Sequence, residues 1–160
     1  MHAMIFSHLS YSITSWSQSS QTVLKPITSI YKQAIKIMDQ KPMRWHHCGI
    51  LRKHNLFTFE NFVIYCNTNL VFKCLHNHVS PLFSGLVARR QNTGRATRAS
   101  TNGDCIVPKC KNSFGQSAFS VNGANLWNSL PTELKLETDG NVFNRELKSW
   151  LKSNQMCTHV

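Results

Sequence analysis

Two groups of residues have types and spacings that could do chemistry. The first is His46-His47-Cys48 with His54 close behind. Imidazole and thiolate are ligands that zinc takes, but adjacent ligands strain a tetrahedral site and no second C-x₂₋₄-C half follows. Cys105-x₄-Cys110 and His76-x-His78 are the residues that could complete such a site. The plainer assignment is a partly buried histidine pair beside Trp45 and a small buried thiol. The second group is Arg89-Arg90 with Arg95 and Arg98, set among Gly, Thr, Ser and Asn. Guanidinium forks pair with phosphate, and small polar residues leave the backbone free to follow a nucleic-acid strand. A solvated basic linker has the same composition.

Other chemistry lacks its residues. Metal-dependent phosphoryl or nucleotidyl transfer needs clustered carboxylates, and the seven acids of this chain include no adjacent pair. There is no Gly-rich phosphate loop, G-x-S-x-G elbow or H-E-x-x-H helix. A Cys/His nucleophile pair has no third group to orient it. The expectation is a chain without catalysis of its own and without a cofactor.

Charge points outward instead. The net charge is +11, and it is unevenly placed. Residues 1–112 hold 14 Lys/Arg against Asp39, Glu60 and Asp104, whereas residues 113–160 hold four of each sign. Such a balance attracts polyanions, nucleic acid first among them. The N-terminal "MHAMIFSHLSYSITSWSQ" has no Lys or Arg ahead of its apolar residues, and serines interrupt them, which makes a poor signal peptide. No stretch approaches the roughly 18 apolar residues of a membrane span. The six cysteines are therefore expected as reduced, mostly buried thiols in an intracellular protein, cytoplasmic or nuclear, without a membrane partner.

The elements that would position these residues are mainly helical. Ile5, Leu9, Ile13 and Trp16 predict a helix over 3–17. Leu24, Ile27, Ile30, Tyr31, Ala34, Ile35 and Met38 predict another over 24–39, with Lys25, Lys32 and Lys36 on its polar side and Pro26 in its first turn. "MRWHHCGILRKHN" reads as a connector. Thr58 caps a stripe from Phe59 to about Asn77, in which "CNTN" is poor in helix formers and leaves room for a break. Ser80-Pro81 opens a short helix. Residues 89–104 form a basic loop, too polar to fix itself and expected to be mobile in isolation. "DCIVPKC" is at most one short extended segment, since Pro108 argues against a central strand. A last helix starts near the cap Asn141 and carries Val142, Phe143, Leu147, Trp150 and Leu151 on one face. The fold class expected is mainly α, a small assembly of about five helices. Its divisions are 1–40, 41–88, the loop 89–104, 105–155, and a tail 156–160.

Residues 118–131, "AFSVNGANLWNSLP", hold no charge. Phe119, Leu126, Trp127 and Leu130 are expected to form a structural clasp against Phe143, Leu147 and Trp150, closing the C-terminal third into a small hydrophobic unit. Each large side chain there would contribute about 1.5–3 kcal/mol by burial. Gly123 sets a doubt against one continuous helix.

The run "FGQSAFSVNGANLWNSLP", preceded by "VP" and followed by the Phe143/Leu147 helix, resembles the C-terminal tail of LINE-type (non-LTR) retrotransposon reverse transcriptases. "HLSYSITSWSQSSQTVLKPITSIYKQAIKIM" is similar to the segment after the polymerase palm of that family. "WHHCGILRKHNLFTFENF" and "LVFKCLHNHVSPLF" follow in the family's order, so the likeness spans roughly residues 4–155.

The resemblance implies a thumb-type helical segment over residues 4–40 that braces a template–primer duplex, and a tail over 41–155. Under it, Lys25, Lys32 and Lys36 become duplex-backbone contacts. The family's Tyr/Phe-x-Asp-Asp aspartates belong upstream, and no catalytic residue carries over. The expected function is weak, electrostatic binding of RNA or DNA with little sequence preference. The expected partners are the polymerase domains and, through faces those domains would cover, copies of the chain itself. The alternatives are a translated relic without function and a zinc-stabilised interaction module.

Overall fold

The computed structural model describes residues 7–90 and 102–155, and these are mainly helical, 63% helix with almost no strand among the described residues. After a helical turn over 7–10 come α1 (Ile13–Trp16), α2 (Gln21–Met38), α3 (His47–Lys53) and α4 (Phe59–Leu75). Then follow α5 (Pro81–Ser84), α6 (Ser113–Gln116), α7 (Phe119–Asn128), α8 (Thr132–Leu136) and α9 (Gly140–Ser153). Five of these, α2, α3, α4, α7 and α9, run seven residues or more.

α4 is the spine, because its apolar residues point to both sides and a helix of that kind is stable only when buried. Phe59 and Val63, near its start, join Tyr31, Ile35, Ile50 and Leu51 of α2 and α3 in one core. Trp16 stacks on Phe59 at 6.2 Å between ring centroids. The Tyr31 hydroxyl donates to the carbonyl of Phe57 at 2.6 Å, and burial holds its phenol well above the ordinary range. Further along α4, Val71 and Phe72 join Trp127, Leu130, Leu134, Phe143, Leu147 and Leu151 in a second core.

Several local expectations are corrected. The helix expected over 3–17 is interrupted at Ser12, whose φ of 49° leaves helical geometry, so α1 starts at Ile13. The connector contains a helix, α3, which buries Ile50 and Leu51. α4 runs unbroken through "CNTN". Asn67, 1% exposed, accepts from Gln18 Nε2 at 3.1 Å and donates to Ser17 Oγ at 3.3 Å, while Gln18 Oε1 accepts from Asn122 at 2.8 Å. A buried amide with its hydrogen bonds made does not compete with the helix. α7 runs through Gly123, where a Cβ would meet Val71 Cγ2 at 3.0 Å; the glycine lets α7 lie close on α4. Asp139 rather than Asn141 caps α9, accepting from the backbone N–H groups of Asn141 and Val142 at 2.7 and 3.1 Å.

The C-terminal third does not close on itself. Its core is completed by Val71, Phe72 and Val87 from the central segment, and Phe72 lies on Phe143 with ring centroids 4.3 Å apart. No helix of the described residues is long and apolar enough to cross a membrane.

Candidate nucleic-acid interface

The basic loop begins and ends at one place. Arg89 and Cys105 form an isolated antiparallel bridge, with Arg90 N–H donating to the Asp104 carbonyl and Ile106 N–H to the Ala88 carbonyl, both at 2.9 Å. In this pattern Cys105 turns its own N–H and C=O away from Arg89. The Asn128 side chain receives both: its Oδ1 accepts from Cys105 N–H at 2.7 Å and its Nδ2 donates to the Cys105 carbonyl at 3.1 Å. One amide thus does the work of a third strand. Beside it, the Trp127 indole N–H donates to the carbonyl of Gly103 at 3.0 Å; Gly103 holds a φ of 72°, which a side chain would strain. Lys135, 5% exposed, donates to Asp104 Oδ1 and to the Asn128 carbonyl, each at 2.8 Å. The sequence "WN" is a latch on the base of the loop.

The loop arginines differ in kind. Arg90 is exposed, while Arg89 is half-buried with a guanidinium nitrogen 3.3 Å from His76 Nε2. His76 Nδ1 sits 2.9 Å from the Phe72 carbonyl, so a proton on Nδ1 and a free pair on Nε2 satisfy both contacts. Arg89 is therefore engaged at the base rather than offered outward. Arg95 and Arg98 lie outside the described residues, as do the mobility expected of most of 89–104 and the tail 156–160.

Lys25, Lys32 and Lys36 fall on one side of α2, spanning about 16 Å at the helical rise. Lys25 is exposed; Lys32 and Lys36 are half-buried, and Lys36 donates to the Met43 carbonyl at 2.6 Å. Lys41 lies 5.1 Å from the centroid of the exposed Trp45 ring. Arg44 and Arg52 are exposed nearby in sequence, so the α2–α3 hairpin is cationic. Its one acid, Asp39, is occupied: Lys53 is 2.5 Å away and His54 Nε2 2.8 Å away. Hydrogen bonds from Lys53 and then His54 hold the Asp39 carboxyl below the ordinary carboxylate range.

The metal-type residues separate. His46, His47 and Cys48 offer ligand atoms within 4.8 Å of one another, and they are the one group of three such residues among those described. His54 is not with them, being held by Asp39. His46 Nδ1 accepts the Cys48 N–H at 3.4 Å as the cap of α3. Cys48 is disulfide-bonded, which corrects the expectation of reduced thiols at this position and withholds its sulfur as a thiolate. Burial, then the positive charge of Lys32, lowers the His47 pKa, and the same surroundings oppose a bound cation. Cys66, Cys74, Cys105 and Cys110 are free thiols.

Of the clasp residues, Trp127, Leu130, Phe143 and Leu147 are buried together, with Phe119 and Trp150 packed against them. The Trp127 and Phe143 rings stack at 5.7 Å. Leu126 departs from the group: it lines a cavity of about 210 Å³ with Leu24, Phe59 and Val63, between α7, α2 and α4.

What the charge count over residues 113–160 missed is phase. Arg145, Lys148 and Lys152 recur at i, i+3 and i+7 and share a face of α9. Of the four acids of that segment only Glu146 lies on α9, off the i, i+3, i+7 stripe. Glu137 accepts from the backbone of Thr138 and Asp139, and Asp139 caps the helix. Segregation by helical phase was available in the sequence; a net count hides it. No protein-family model, curated protein or solved structure matches the chain.

Proposed function

We propose that this chain is the thumb-and-tail region of a LINE-type non-LTR retrotransposon reverse transcriptase, without catalysis of its own, and that it binds RNA or DNA through backbone charge. The observation that carries the binding is the surplus of exposed cations over acids. Asp39 and Asp104 are consumed by internal ion pairs, and Glu137 and Asp139 by backbone N–H groups. Lys25, Lys41, Arg44, Arg52, Lys73, Arg90, Arg145 and Lys148 are exposed, against Glu60, Glu133 and Glu146 among the remaining acids. The exposed surface is thus predominantly positive, and phosphate backbones are the partner such a field takes. The ancestry rests on the ordered likeness along residues 4–155; the binding does not depend on it.

The test is binding to a fluorescent RNA hairpin and a DNA duplex at about 50 and about 200 mM salt, where several phosphate contacts change affinity strongly. Lys25, Lys32 and Lys36 are changed to Gln in one variant, and Arg90, Arg95 and Arg98 in another. Steep salt dependence, weakened in both variants, supports the reading. A sample shown by circular dichroism to be folded, yet silent at about 50 mM salt, marks the charge as inherited and the chain as a relic.

A further inference from the structure

We propose that a groove running from the 10–14 turn across α4 to α9 takes the backbone of a single-stranded nucleic acid. This deepens the binding reading above and rests on it. Two concavities, of about 690 and 450 Å³, share Tyr65 and Asn144 and so form one channel. Four of the lining residues are cations, Lys73, Arg145, Lys148 and Lys152, and none is acidic. The neutral lining includes Ser12, Thr14, Asn69, Asn141 and Ser149, hydroxyls and amides able to donate to phosphate and sugar oxygens.

Two of the cations are positioned by aromatic rings. Lys148 Nζ lies 5.5 Å from the centroid of the Tyr65 ring, and Lys152 Nζ lies 5.5 Å from that of Phe57. The Tyr65 hydroxyl donates to Asn144 Oδ1 at 3.2 Å, and Asn144 Nδ2 donates to the Gly140 carbonyl at 2.7 Å, which fixes the saddle between the two concavities. Ordering in the free chain lowers the entropy lost on binding. From Arg145 to Lys152 the helix advances about 10 Å, a length that carries on the order of three phosphates of one strand. A flexible strand can follow an open groove and present successive phosphates to it, whereas a stiff duplex cannot bend to do so without cost. A charged groove with an aromatic wall is the arrangement that binds single strands with little sequence preference.

The experiment uses the full chain with 5′-fluorescein U12 RNA and a 12-base-pair duplex, read by anisotropy across a salt series. The variant is Arg145→Gln/Lys148→Gln/Lys152→Gln, with its fold checked by circular dichroism. The expected result is a loss of about tenfold or more on U12 at low salt, with the log–log salt slope shallower by about 2, three contacts at about 0.7 each. Duplex affinity should change by less than about threefold, because the duplex is held by other cations. Unchanged U12 binding overturns the groove and leaves the general binding reading standing. Equal losses on U12 and duplex overturn the preference for a single strand. No binding of either probe by the unaltered chain defeats both proposals. Displacement of U12 by a twelve-residue polyglutamate at the same concentration overturns the assignment in favour of an acidic peptide. If the triple variant does not fold, exposed Lys73→Gln in the adjoining concavity makes the same comparison, with a slope change of about 0.7.

Discussion

Replacing Asn128 by alanine should unfasten the base of the basic loop. The side chain makes two hydrogen bonds, at 2.7 and 3.1 Å, to the N–H and C=O of Cys105, a residue with no exposed surface. Each bond contributes about 1 kcal/mol net, and a buried group left without its partner costs about 1–3 kcal/mol. Asn128 itself is half-buried, so water reaches part of the vacated space and the loss falls near the lower end, about 2–3 kcal/mol. For a chain of this size that is a fall in Tm of about 4–12 °C. A second readout separates local from global loosening. Burial pushes the Cys105 thiol up to about 12, so it is inert in the folded chain. Alkylation by N-ethylmaleimide, resolved by mass spectrometry, should label Cys105 in Asn128→Ala well before the equally buried Cys74. A Tm within about 1 °C of the unaltered chain, with Cys105 labelled no faster than Cys74, would refute the latch.

Other consequences can be measured in the same way. Lys135→Met leaves Asp104 and the Asn128 carbonyl without their ammonium partner; with Asp104 still 21% exposed, the expected loss is about 1–3 kcal/mol in urea melts. Thr68→Val should be neutral or stabilising by up to about 1 kcal/mol, because Thr68 Oγ1 is buried without a hydrogen-bond partner and valine keeps the shape. The Asp139 carboxyl is held low chiefly by the N–H groups of Val142 and Asn141, so it binds fewer protons folded than unfolded. Its contribution is complete above the ordinary carboxylate pKa of 3.8 and is lost as pH falls through the lower folded value. Asp139→Asn keeps a capping oxygen but cannot titrate, and should flatten the decline of Tm between about pH 4.5 and 2.5.

Much of this architecture is legible in residue order, and the illegible parts share a cause. Thr58, Phe59 and the stripe through Leu75 announce α4, and Trp127 announces a buried side chain, because 3.6-residue spacing and bulk are local properties. The latch is not local: Trp127 and Asn128 meet backbone 24 and 23 residues away, and no neighbour in the chain signals that an asparagine will complete a two-stranded bridge. The continuity of α4 through Asn67 depends in the same way on Gln18 and Ser17, some fifty residues earlier. His54 looked like a partner for His46 and His47 by proximity, yet the turn after α3 delivers it to Asp39. Leu126 shares a run with Trp127 but sits one helical step round α7, which sends it to the α2 side. The α9 cations were readable by phase and obscured only by summing charge over the segment.

The most direct test of the central claim is the salt slope of the unaltered, folded chain on U12 RNA. Engagement of the four groove cations predicts a log–log slope near −2.8, about −0.7 per phosphate contact on a single strand. A slope near zero, or no binding at about 50 mM salt, would contradict the claim that these cations meet a phosphate backbone.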